Sequence, residues 1–144
     1  MKTLQLMLAA CALIVTPVLA QQPPATDGPV QQLRVYELFE PTRTAFHERF
    51  RDHAVRIMRR YGFNIVAMWE SRTDGRPEFV YLLDWPSESA MRSAWSGFMA
   101  DREWIQIKAE HAERHGPVVG RIEDRTLRRV PYAPGQSAAA AAPR

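Results

Sequence analysis

Three observations predict an α+β fold, with four antiparallel strands and the helices on one face of the sheet. Between Leu33 and Tyr132 the apolar pattern switches between strand and helix periods in the order β-α-β-β-α(α)-β. Its middle strands are joined by Thr73-Asp74-Gly75-Arg76-Pro77, a turn composition that makes them a hairpin. Those two strands, Phe63 to Trp69 and Phe79 to Trp85, are apolar on both parities, so the sheet needs cover on both faces.

The first element is the β-rich run Leu33-Arg34-Val35-Tyr36-Glu37-Leu38-Phe39, stopped by Pro41. Thr42 is placed to cap a helix running to Tyr61, because Phe46, Phe50, Ala54, Ile57 and Tyr61 recur at three- and four-residue steps. Gly62 stands where a left-handed helix end belongs. Phe63 to Ser71 and Glu78 to Trp85 are the second and third strands. Pro86-Ser87 opens a helix whose apolar face is Ala90, Met91, Ala94, Trp95 and Phe98. Asp101 restarts a helix carrying Trp104, Ile107 and His111, which ends before Gly116-Pro117. Arg121 to Val130 is the last strand.

This order is the ferredoxin-like split β-α-β arrangement, and right-handed crossovers give the strand order 4-1-3-2. The helices cover one face of the sheet and no remaining segment covers the other. A second copy is the economical cover, so the expected assembly is a homodimer in the form of a dimeric α+β barrel.

The flanks set the expected compartment. Lys2, the apolar run Leu4 to Val15, Pro17 and Val18-Leu19-Ala20 read as a signal peptide, residues 1–20, cleaved after Ala20. The protein is then periplasmic or secreted. The run is too short for a good membrane span, so none is expected after cleavage. Leu8-Ala9-Ala10-Cys11 also matches a lipoprotein box, but the apolar run continues past Cys11, which favours the cleaved form. Residues 21–32 read as a flexible linker, 33–132 as the domain and 133–144 as a disordered tail. Cys11 is the only cysteine, so the mature domain has no thiol for disulfides, nucleophilic catalysis or zinc-thiolate binding. The net charge is only +3, and the arginine clusters around Arg56 to Arg60 and Arg121 to Arg129 are diluted by acids. Together with export this argues against nucleic acid as a partner.

Several segments, in order, resemble the NIPSNAP family. They are the opening Leu33-Arg34-Val35-Tyr36-Glu37-Leu38, the helix end Arg59-Arg60-Tyr61-Gly62, Val66-Ala67-Met68-Trp69, the aromatic third strand Val80 to Trp85, Ser87-Glu88 and Asp101-Arg102-Glu103-Trp104. The resemblance spans Leu33 to Val130 and implies a dimeric α+β barrel without implying a particular reaction. The chain departs from it at Tyr81 and Leu83, where the family often has His and Trp.

Candidate ligand-binding residues are Arg34, Tyr36, Trp69, Tyr81 and Trp85. Arg34 and Tyr36 share a parity on a central strand. A buried arginine is costly unless paired. Two readings follow. In one, Arg34 and Tyr36 face the inter-subunit cavity and hold an anionic or carbonyl ligand. In the other, Arg34 forms a structural ion pair with Asp84 or Glu70. The aromatic residues serve as core or as the wall of a site for a flat molecule. His53 is a weak candidate for a haem ligand, and His111 with His115 lacks a third metal ligand. No nucleophile elbow, phosphate loop, dinucleotide fingerprint or paired catalytic carboxylate motif is present, so no cofactor or metal is expected. The expected function is binding of a small molecule or partner in or near the dimer cavity. The alternative is a cofactor-free enzyme, oxygenase- or isomerase-like, on a small aromatic or carbonyl compound. Whether the protein is an enzyme stays open at this point.

Overall fold

A computed structural model describes residues 28–134; the expected leader with Cys11, most of the 21–32 linker and the tail beyond Pro134 lie outside the described residues. The elements are β1 (Val30–Leu38), α1 (Arg43–Arg49), α2 (Val55–Arg60), β2 (Asn64–Thr73), β3 (Arg76–Trp85), α3 (Glu88–Ala100), α4 (Arg102–His115) and β4 (Val119–Leu127). The sheet is antiparallel throughout with the order β2-β3-β1-β4, which is the predicted order read from the other edge. Among the described residues no helix is long and apolar enough to cross a membrane.

β1 begins at Val30 rather than at Leu33. Val30 and Gln32 are 3% and 2% exposed, and the pairing with β3 runs back to Val30↔Trp85. Burial and ladder bonds thus extend the strand into residues whose composition read as linker. β2 and β3 meet in a two-residue turn, Asp74-Gly75, with φ of 52° and 79°. Positive φ at both central residues is the primed hairpin turn that matches strand twist, and Asp-Gly supplies it at low cost.

The long helix predicted from Thr42 is more varied than expected. Thr42 makes no side-chain cap; its hydroxyl donates to Pro117 O at 3.2 Å. A 3₁₀ turn (Glu40–Thr42) leads into α1, and a π-helical segment (Phe50–Ala54) joins α1 to α2. The apolar spacing explains the π turn. Phe46, Phe50, Ala54 and Met58 recur every four residues and are all buried. In an ideal α-helix such a repeat drifts about 40° per step, and a wider i→i+5 turn takes up the drift and keeps the stripe on the sheet.

Directly paired residues on neighbouring strands share a face. Gln32, Arg34 and Tyr36 pair with Leu83, Tyr81 and Phe79, and this face lies under the helices. The opposite face carries Leu33, Val35, Ala67, Trp69, Val80 and Leu82.

Candidate functional site

The site starts from Gln32, whose buried amide is fully used. Its Oε1 accepts from the indole N–H of Trp85 at 3.1 Å and of Trp95 at 2.8 Å. Its Nε2 donates to both carboxylate oxygens of Asp124 at 2.9 Å. One side chain therefore ties β3, α3 and β4 to β1. It also presents the Trp95 ring to Arg34, whose guanidinium stacks 4.5 Å from the ring centroid.

Arg34 pairs with Asp124 on β4, its direct neighbour in the sheet. The expected partners are corrected. Asp84 lies on the opposite face and accepts from Gln31 Nε2 at 2.8 Å, while Glu70 sits 2.8 Å from His47 Nε2 and 3.6 Å from Arg43. The expected placement is corrected too. Arg34, Tyr36, Tyr81 and Trp85 all point under the helices, so they do not line a cavity across the open face of the sheet. Trp69, of opposite parity, is 51% exposed on that open face and joins none of them.

What the strands bring together is Arg34, Tyr36 and Tyr81. Arg34 Nη2 donates to Tyr36 Oη at 3.1 Å, and the two phenol oxygens lie 2.9 Å apart. Burial works against the Arg34 charge, but Tyr36, Tyr81 and Asp124 together outweigh it and leave the guanidinium more basic than usual. Burial, then the neighbouring Tyr36, pushes the Tyr81 phenol well above its ordinary value, so it stays protonated at neutral pH. The two phenols carry two hydroxyl hydrogens and their mutual bond uses one. Arg34 takes an acceptor position, not a hydrogen. Whichever oxygen donates, one O–H of the pair is left over.

Beside this pair is a small, partly open chamber of about 40 Å³ between sheet and helices, lined by Tyr36, Tyr81, Arg49, Phe50, Trp95 and Trp104 among others. Phe46, Phe50, Ala54 and Met58, the stripe that the π turn keeps in line, form its helical wall. Arg49, which the sequence did not single out, ends α1 here with its guanidinium 5.6 Å from the Trp104 centroid. His111 is buried; its Nε2 lies 3.0 Å from Ala45 O and its Nδ1 lies 3.5 Å from Arg49 Nη1. Nε2 must donate to the carbonyl, so a neutral ring turns the Nδ1 lone pair toward Arg49.

A larger cleft of about 590 Å³ lies at the end of the sheet between Val30, Asp84, Trp85 and Arg128. Of its charged residues, Asp84 accepts from Gln31, Arg128 pairs with Glu88, and Arg129 donates to Pro134 O at 3.4 Å. Of the predicted residues only Trp85 reaches it. The chamber, where polar groups converge on unfilled space, is the better candidate. His111 and His115 stand 4.5 Å apart between ring centroids, and among the described residues no group of three metal-ligating side chains forms.

With this architecture in view, the sequence profile of the NIPSNAP family matches residues 31–134. The chain belongs to the NIPSNAP family. Solved NIPSNAP structures share its fold. An uncharacterized NIPSNAP-like domain protein from Burkholderia xenovorans is 16% identical, with 75% of this chain and 90% of that one covered and a TM-score of 0.61. A NIPSNAP family protein with unknown function from Agrobacterium tumefaciens is 16% identical, with 76% and 95% covered and a TM-score of 0.62. A second one from Agrobacterium tumefaciens is 11% identical, with 75% and 99% covered and a TM-score of 0.63. At such identities the likeness speaks for the fold alone. No curated protein matches the sequence.

Proposed function

We propose that this NIPSNAP domain is an exported homodimer that binds a small polar molecule in the chamber beneath its helices. The observation that carries the reading is the hydroxyl hydrogen left over in the Tyr36–Tyr81 pair, whose two rings line the chamber and whose Tyr36 oxygen accepts from Arg34. A buried donor without a partner costs about 1–3 kcal/mol, and a ligand acceptor removes that cost. The ligand-binding candidates Arg34, Tyr36 and Tyr81 thus stay together in one site, with Trp85 acting through Gln32. The apolar open face, with Trp69 at its edge, supports the homodimer.

The alternative is a cofactor-free enzyme acting on a small aromatic or carbonyl compound. The aromatic wall favours it, but the chamber volume does not: an apolar cavity that takes benzene measures about 150 Å³, against about 40 Å³ here. An aromatic substrate would have to displace part of the helical wall, whereas a ligand of a few heavy atoms fits as the chamber stands. Thermal-shift screening of small amides, ketones and acids against the wild type and Tyr36→Phe tests the binding reading. Stabilisation that disappears in Tyr36→Phe is the expected result. Equal stabilisation of both proteins, or none of either, overturns it.

A further inference from the structure

Two guanidinium groups near the chamber differ in charge balance: Arg49 lines it, and Arg34 lies behind Tyr36. Arg34 is compensated by Asp124. Arg49 is not: among the described residues no carboxylate pairs with it, and its contacts are the Trp104 ring and the His111 Nδ1 lone pair. Neither of those groups carries a negative charge. Tyr81 is held protonated and supplies no anion at neutral pH. Burial depresses the Arg49 pKa, in keeping with a cation taken from water without a counter-ion, and the nearest opposing influence is Tyr36. The lining of the chamber therefore carries one uncompensated positive charge beside one hydroxyl that can donate.

Resting on the binding reading above, we propose that the ligand is a small monoanion of the carboxylate class, its charge met by Arg49 and one of its oxygens by the free hydroxyl of the Tyr36–Tyr81 pair. Three features point the same way. The charge deficit is one, which a monoanion closes and a neutral carbonyl compound leaves open. A guanidinium presents paired N–H donors in the plane that a carboxylate matches. The chamber, at about 40 Å³, has room for a group the size of formate or acetate, since a single water needs about 10–15 Å³ on the same kind of measure. The aromatic lining limits contact with bulk water, which strengthens the charge interaction and disfavours a bare cation there. His111 fits this role because a neutral imidazole holds Arg49 in place without neutralising it.

Acetate and formate are the probes, with acetamide as the neutral shape control. They are titrated at constant ionic strength into the purified protein, followed by the fluorescence of Trp95 and Trp104 and by melting temperature. Small ligands of this size bind at best in the micromolar to millimolar range, so saturating titrations are needed. The expected result is a saturable response to acetate and formate and none to acetamide. Arg49→Met should weaken the acetate response by about tenfold or more, with an unliganded melting temperature equal to or above that of the wild type. Arg49→Lys, which keeps the charge but not the fork, should retain part of the response. If Arg49→Met does not fold, the wild-type comparison and Arg49→Lys still decide. A response to acetamide equal to that to acetate, lost in Tyr36→Phe, overturns the anion assignment and leaves the binding reading standing. An acetate response unchanged in Arg49→Met also overturns it. No response to acetate, formate or acetamide overturns both.

Discussion

At the residue scale, Gln32 does more than any predicted site residue. It satisfies two indole N–H groups and a carboxylate from one buried amide. Gln32→Leu should therefore lower stability by about 2–6 kcal/mol, because two donors lose their acceptor at about 1–3 kcal/mol each. A shift in the urea midpoint at neutral pH measures it; Gln32→Glu, which keeps the acceptor, should recover part of the loss at low pH. The residue-level legibility of the sequence was uneven for a physical reason. Arg34 and Tyr36 could be singled out because strand periodicity puts them on one face and their types carry chemistry, and Tyr81 because it belongs to an aromatic-rich strand. Gln32 could not, since a glutamine in a polar run next to prolines carries no apolar signal. Arg49 could not either, because arginine on a helix is ordinarily solvated, and only the tertiary fold shows that it reaches a chamber where, among the described residues, no carboxylate pairs with it. The expected Asp84 and Glu70 partners failed for a related reason: Asp124 lies on a strand that pairs across 90 residues, and such pairing is invisible to local spacing.

At the element scale, the helix ends and the packing between helices are where the sequence was most and least readable. Gly62 was legible as a helix stop, and the structure completes the motif around it. Gly62 has φ of 80°, its N–H bonds Arg59 O at 3.1 Å, and Phe63 N–H reaches back to Met58 O at 3.3 Å. These are the paired bonds of a Schellman end, with Phe63 and Met58 both buried as its apolar contact. A Cβ at Gly62 meets nothing within 4 Å, so the conformation alone opposes substitution. Gly62→Val should lower stability by about 1–3 kcal/mol, read as a fall in denaturation midpoint. The π turn was not legible, because a four-residue repeat also suits a plain helix until the sheet demands that all its members face one way. The contact of α4 with α1 yields a pH prediction. His111 has its pKa lowered by burial first and by Arg49 next. A histidine depressed in the folded state binds its proton more readily when unfolded, so its contribution is whole above the unfolded value of about 6.5 and is lost as pH falls through the lower folded value. Protonation also turns Nδ1 into a donor facing Arg49 and ends their contact. Urea midpoints should fall as pH is lowered from about 7 toward 5.5, and His111→Gln should flatten that fall. A wild-type midpoint that rises over the same range contradicts the assignment of a neutral His111.

At the scale of the whole molecule, the α+β fold and the strand order followed from element order and handedness, because those rules need only the pattern of apolar periods. The placement of the site did not, since parity says which residues share a face but not which face the helices cover. That face is now known, and it leaves Leu33, Val35, Val80 and Leu82 on the other side, partly buried within the single chain, with Trp69 about half exposed beside them. An open sheet face this apolar is stable in water when a second sheet covers it. The rim of β4 supplies charges of both signs, Arg121, Glu123 and Arg125, joined in ion pairs of 2.9 and 2.6 Å, so the face is bounded by polar groups as an interface core is. The protein should therefore run as a homodimer in light scattering at micromolar concentration. Leu82→Arg places a charge at the centre of that face while leaving the helix-side core untouched. It should yield a folded monomer or a strongly weakened dimer, with the circular dichroism of the wild type retained. The chamber lies beneath the helices of each protomer, so the acetate response should survive in that monomer. A Leu82→Arg protein that still scatters as a dimer would place the interface elsewhere, and a wild type that is monomeric would mean that residues outside 28–134 cover the sheet.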